Sequence, residues 1–276
     1  MSYVAKLREA AERHDSWLCV GLDPDLGRLP SPLQDSDDRH SAVLDFQRAI
    51  IDATQDLVCA YKPNSAFYEA LGPQGMRLLQ ETVKMIPPDI PVILDAKRGD
   101  VGHTAEKYAE FAFGVVGADA VTLSPYLGSD SLRPFLDCAD RGVFLLCRTS
   151  NPSAGQLQDL NCTGKPLYQR VAEYAIQWQE SAGAAIGLVT GATYPQELKL
   201  VRDVVGDEMV LLVPGVGAQA GDLAKAVRAA VNGDGANAII NASRGVLYAA
   251  DGPDYADAAR HAAMKLRDGI RQGGRP

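Results

Sequence analysis

Eight short apolar runs punctuate the chain: Trp17–Leu22, Leu57–Tyr61, Pro91–Leu94, Ala118–Leu123, Gly142–Cys147, Ala184–Val189, Met209–Val213 and Ala236–Ile240. Each is bounded by Gly, Pro, Asp or Asn and mostly lacks polar alternation. A strand with one wet face alternates, whereas a strand covered on both faces does not. The runs therefore predict doubly buried strands. Helical periodicity fills the gaps at Ser41–Gln55, Gln74–Met85, Thr104–Val116, Pro166–Ser181, Pro195–Val205 and Ala218–Val231, with a last stretch from Pro253 to Ile270. Alternating β and α units imply a parallel sheet. Eight of them in ~250 residues is the arithmetic of a (β/α)8 TIM barrel in the α/β class. A doubly wound sheet loses ground because the first run ends GLDPDLG, with no GxGxxG behind it. No Pro-, Ser- or Gly-rich tether divides the chain, so residues 1–276 are expected to form one barrel domain. Asp23–His40 and Ser150–Lys165 read as long polar loops, the kind that serve as lids or binding loops.

Composition narrows the function classes. Lys+Arg number 27 against 35 Asp+Glu, a net charge of −8. That disfavours the basic surface a nucleic-acid polymer requires, but not one local phosphate site. No run approaches the ~20 apolar residues of a membrane span. The start, MSYVAKLREAAERHDSW, lacks a signal-peptide core. The five cysteines are odd in number and form no CxxC, so reduced thiols in a cytoplasmic protein are expected. The four histidines are scattered, and no metal site is expected.

In such a barrel the active site lies at the carboxyl ends of the strands. Ionisable residues gather there. Asp23 follows the first strand, and Tyr61-Lys62-Pro63-Asn64 ends the second. The third runs PVILDAKRGD, placing Asp95, Lys97 and Asp100 directly after core residues. Asp95 and Lys97, two apart on an extended strand, are expected on one side, facing the mouth. An ammonium among carboxylates keeps its proton, so it can stabilise a developing carbanion and then protonate it. A second constellation, PGVGAQ after strand seven and ASRG after strand eight, suits a phosphate: Gly217 allows close backbone approach, Gln219 offers an amide, and Arg244 a two-pronged cation. Together these features predict a phosphorylated small molecule undergoing carbanion chemistry.

LDAKRGDVGHT, with GLDP, YKPN, TSNPSAG, VPGVGAQ and NASRG in that order along the barrel, resembles the orotidine 5′-phosphate decarboxylases, in their longer bacterial subgroup. The resemblance implies decarboxylation of orotidine 5′-phosphate to UMP and CO2 in pyrimidine biosynthesis, without a cofactor. It implies that Lys62, Asp95, Lys97 and Asp100 form an alternating network, with Lys97 protonating C6. It also implies a homodimer with shared sites, Asp100 reaching into the partner's site with Thr104 beside it at the ribose. Asp23 and Lys62 would contact ribose hydroxyls. Ser150, with Thr149 and Ser153 as neighbouring alternatives, would bond the pyrimidine. Gln219, Arg244 and Gly217 would hold the phosphate, and Ser150–Lys165 would belong to a closing lid. The rival readings are a Mg2+-dependent sugar-phosphate decarboxylase or synthase barrel and a non-catalytic phosphate-binding barrel.

Overall fold

Every apolar run coincides with or overlaps a strand: β1 Leu18–Gly21, β2 Ala60–Lys62, β3 Ile93–Arg98, β4 Ala120–Leu123, β5 Gly142–Arg148, β6 Ala185–Thr190, β7 Leu211–Pro214 and β8 Ala238–Ala242. The computed structural model describes residues 1–216 and 220–274. The strands pair in parallel in the order β2-β1-β8-β7-β6-β5-β4-β3. Parallel bridges Tyr61↔Val92 and Asn64↔Asp95 bring β2 against β3 and close the ring. The architecture is the expected TIM barrel. Among the described residues no helix is long and apolar enough to cross a membrane.

The helices between strands follow from local signals. Asp38 caps the Arg39–Thr54 helix, accepting from the backbone N–H groups of His40 and Ser41 at 3.1 and 3.2 Å. Pro195 opens the Pro195–Val205 helix, where its missing N–H is harmless. Other helices are Pro73–Met85, Gly102–Ala109, Ser129–Leu136, Leu167–Gln179, Ala220–Ala230 and Tyr255–Gly273. The expected helix at Thr104 starts earlier, at Gly102, with Val101 as its cap, and continues as a π-helical turn over Glu110–Val115. Neither polar loop is structureless. Asp23–His40 carries a 3-10 turn at Leu26–Arg28 and a short helix at Ser31–Gln34. Ser150–Lys165 holds a one-turn helix, Gly155–Gln158, and most of a hairpin pairing Asn161–Cys162 with Lys165–Pro166.

Two cores result. An outer one lies between strands and helices, with Leu18, Val20, Tyr61, Leu94, Val121, Leu188 and Ile240 facing outward. An inner one fills the barrel with Cys19, Ala60, Ile93, Ala120, Phe144, Val189, Leu212 and Ile239, one from each strand. Tyr3, Leu7 and Ala11 of the Tyr3–His14 helix join this inner cluster. That helix plugs the amino-terminal end. Tyr3 packs edge-on against Phe144 with ring centroids 6.0 Å apart, its N–H donates to Asp140 O, and Lys6 pairs with Asp119 at 2.8 Å. The plug leaves the opposite rim as the open end.

Candidate active site

At that rim β3 departs from a regular strand. Leu94 pairs with Val121 and Arg98 with Leu123, so four residues of β3 step past two of β4. Lys97 takes a left-handed backbone, φ 49°, a conformation uncommon outside glycine. Simple strand alternation is therefore not what brings Asp95 and Lys97 together; the irregularity is. It lets both side chains turn to the mouth.

Asp95 is the centre of the site. Its Oδ2 accepts from Lys62 Nζ at 2.9 Å and its Oδ1 from Lys97 Nζ at 2.6 Å. Thr122 Oγ1 donates to the same Oδ1 at 2.9 Å, and Asn64 Nδ2 lies 3.5 Å from Oδ2. The Lys62 and Asp95 side chains are 5% and 12% exposed, whereas Lys97 is 47% exposed. Lys62 is thus a buried member, and Lys97 presents its ammonium to the opening. Burial alone would raise the Asp95 carboxyl, but Lys62 and Lys97 outweigh it and hold the group well below the usual carboxylate range. Burial alone would lower Lys62, yet Asp95 and then Asp23 hold it above the ordinary lysine range. The pair stays charged.

Asp23, buried just beyond β1, accepts from Asn64 N at 3.1 Å. Asn64 also caps the Ser65–Glu69 helix, Oδ1 accepting from Ala66 N at 3.1 Å. One residue thereby ties the β1 loop, the end of β2 and Asp95 together. Tyr248 OH donates to Asp23 O at 3.1 Å and accepts from Asp25 N at 2.7 Å, fastening the β1 loop to the segment after β8. Gly21 is required here, because a Cβ would fall 1.8 Å from Ser243 Oγ.

Ser150 lies at the same rim, where β5, β6 and β7 end: ideal Cβ positions on Gly191 and Gly215 would come within 2.7 and 3.2 Å of its side chain. Arg244 is exposed at the start of a four-residue helix after β8 and forms no ion pair among the described residues. Asp100 and Thr104 are half-buried beyond β3. Asp100 is not brought to either lysine; its carboxylate accepts from Val101 N at 2.8 Å instead. Gly217 and Gln219 lie outside the described residues. Arg148, the last residue of β5, anchors a loop. Its buried guanidinium pairs with Asp159 at 2.9 Å and lies 4.2 Å from the Tyr194 ring centroid. Sequence reasoning missed Thr122 and the bonds of Asn64. Thr122 is the one polar side chain in the run Ala118–Leu123 after Asp119, and that is its only signal.

The arrangement can hold an anionic substrate beside a proton-donating ammonium. Residues 16–259 match the family described as orotidine 5′-phosphate decarboxylase / HUMPS. The chain belongs to the orotidine 5′-phosphate decarboxylase family. It is 54% identical to the orotidine 5′-phosphate decarboxylase of Roseiflexus castenholzii, over 98% of this chain and 97% of that one. It is 51% identical to the enzyme of the same name from Herpetosiphon aurantiacus, over 95% of each. Among solved structures, the OMP decarboxylase of Leishmania donovani aligns with a TM-score of 0.86 at 39% identity, covering 99% of both chains. The decarboxylase family thus supplies the expected barrel and assigns the chain to the carboxy-lyases.

Proposed function

We propose that this barrel converts orotidine 5′-phosphate to UMP and CO2 in pyrimidine biosynthesis, without a cofactor. The observation that carries the reading is a single buried carboxylate, Asp95, gripped on both oxygens by ammonium groups, one largely buried and one facing the opening. As the bond from C6 to the carboxyl carbon breaks, its electron pair stays on C6 and CO2 departs. The cation on Lys97 stabilises that charge, and its Nζ–H bond supplies the proton to C6. Solvent then reprotonates Lys97. Asp95 disfavours a substrate carboxylate beside it, and leaving as CO2 relieves that repulsion. Lys62, kept cationic by Asp95, holds the carboxylate in place. A divalent cation would have to displace an ammonium from either Asp95 oxygen, which argues against the Mg2+-dependent alternative.

In this reading Asp23 and Lys62 bind ribose hydroxyls, Ser150 the pyrimidine, and Arg244 with Gln219 and Gly217 the phosphate. Asp100 and Thr104 complete the site of a partner subunit in a homodimer. Two features support the shared site. Asp100 accepts a hydrogen bond from Val101 N and makes no ion pair among the described residues of its own chain. Val101 beside it is 54% exposed, and Tyr126 and Leu127, in the segment after β4 whose Ser124 N donates to Arg98 O at 2.7 Å, are 79 and 47% exposed. Apolar exposure of that kind marks interaction surfaces. The chain is read as one cytoplasmic domain, in keeping with its five free cysteines.

Purified protein should remove the ultraviolet absorbance of orotidine 5′-phosphate, and EDTA should leave the rate unchanged. Full turnover by Lys97→Ala would overturn the role of Lys97. Mixing inactive Lys97→Ala and Asp100→Ala chains should restore part of the activity; no recovery after proven subunit exchange would rule out shared sites.

A further inference from the structure

The irregularity in β3 raises the question of what holds Lys97 in place. A left-handed lysine at a strand end lacks regular ladder support, and such a conformation persists only where surrounding contacts over-determine it. Thr122 supplies one. Its hydroxyl accepts from the Lys97 backbone N–H at 2.9 Å and donates to Asp95 Oδ1 at 2.9 Å. Lys97 Nζ reaches that same oxygen at 2.6 Å. One oxygen of β4 therefore fixes both the backbone of Lys97 and the carboxylate that orients its ammonium. Thr122 is 1% exposed and sits on a strand registered directly against β5 through Phe144, so it is itself immobile. Threonine has both properties this position needs. A β-branched side chain is stiff at χ1, and its hydroxyl can donate and accept together. Valine would fill the space but could neither donate nor accept.

We infer that Thr122 is a positioning residue, which sets the placement of the Lys97 ammonium through the β3 backbone and the Asp95 carboxylate. The inference rests on the reading of Lys97 as proton donor. Thr122 need not touch the substrate; it acts by keeping the donor where a small displacement would be expensive in rate.

The test compares Thr122→Val and Thr122→Ser with the unaltered protein and with Lys97→Ala, using orotidine 5′-phosphate and recording kcat, KM and thermal unfolding. Thr122→Val should lower kcat about 10- to 100-fold, the range of one hydrogen bond to a charged group, with KM changed less than about 3-fold. Thr122→Ser, which keeps the hydroxyl, should recover kcat to within about 5-fold of the unaltered protein. If Thr122→Val fails to fold, Thr122→Ala removes the same hydroxyl and carries the same expectation. A kcat for the valine variant within about 2-fold of normal would overturn the inference. So would a serine variant as impaired as the valine one, or a loss confined to KM. Those results alongside an inactive Lys97→Ala would remove Thr122's role alone. An active Lys97→Ala would instead remove the donor reading on which it rests.

Discussion

Replacing Asp95 with asparagine probes the centre of the site with almost no change of shape. The carboxylate grips two ammoniums, one on each oxygen. An amide can offer its oxygen to only one of them and turns an NH2 group towards the other. Lys62 suffers most, because its side chain is 5% exposed and Asp95 is its hydrogen-bond partner. Removing one member of a buried ion pair typically destabilises by about 3–5 kcal/mol, since the other charge is left uncompensated. With an unfolding entropy near 2 cal/mol/K per residue, that corresponds to a melting temperature lower by about 5–9 °C for a chain of this size. The pH dependence has a definite sign. In the unaltered protein the low Asp95 carboxyl contributes stability above its unfolded value near ~3.9, lost only as pH falls through the folded one. Lys62, raised when folded, contributes stability below ~10.4, lost as pH rises through its folded value. Between about pH 5 and 9 this pair therefore leaves stability flat. In Asp95→Asn only the smaller contribution of Asp23 remains against the burial that favours neutral Lys62, so its folded value should drop below the unfolded one and stability should rise with pH as the buried cation is shed. Urea unfolding of both proteins at about pH 6 and pH 9.5 should show the gap between them narrowing at the higher pH. A gap below about 1 kcal/mol at the lower pH, or one that widens towards the higher, would refute the reasoning.

Other expectations follow from single contacts. Arg202 is buried and gives four hydrogen bonds to carbonyls, those of Ala230, Gly206, Met209 and Asn237, at 2.6–2.9 Å. Arg202→Met orphans all four and should destabilise by on the order of 4 kcal/mol in denaturant titration, with turnover retained at low temperature. A Cβ on Gly187 would lie 2.6 Å from both Val210 O and the Phe144 ring; Gly187→Ala should therefore destabilise by about 1–3 kcal/mol through overpacking, measured by the same titration. Arg244→Ala removes a proposed phosphate contact far from the bond that breaks. It should raise KM for orotidine 5′-phosphate at least about 10-fold, the scale of a hydrogen bond to a charged group, and inorganic phosphite or phosphate added in trans should not restore it.

What could be read from the chain, and what could not, divides along a physical line. The strand count, the closed ring and the Lys62, Asp95 and Lys97 cluster were legible because a barrel segregates its residues: apolar where the strand is covered, ionisable where it emerges. Features depending on one strand's relation to another were not. The β3 irregularity leaves no mark in the run PVILDAKRGD, since strand periodicity describes a regular ladder and says nothing of two extra residues opposite β4. Thr122 looks like an ordinary strand former until its hydroxyl is seen between Asp95 and Lys97. Asn64 reads only as the end of the second strand, and its bonds to Asp23 and Asp95 appear only once the β1 loop and β3 are beside it. Ser129–Leu136 escaped because Pro134 breaks its helical pattern. Tyr3–His14 escaped because its apolar residues find their partners at the starts of distant strands.

That last helix decides how matter reaches the chemistry. With Tyr3 and Leu7 stoppering the far end, the barrel is a vessel with one neck. In the proposed reaction, substrate, CO2, product and the proton that restores Lys97 would all share the same passage. On that reading, traffic through the neck would be coupled: a loop that sealed it over bound substrate would also isolate the lysine from its proton supply until the product left. The stopper likewise keeps Cys19 and Cys59 out of reach, so a chain shortened by residues 1–14 should surrender both thiols to a maleimide probe that, in the intact protein, reaches neither of them.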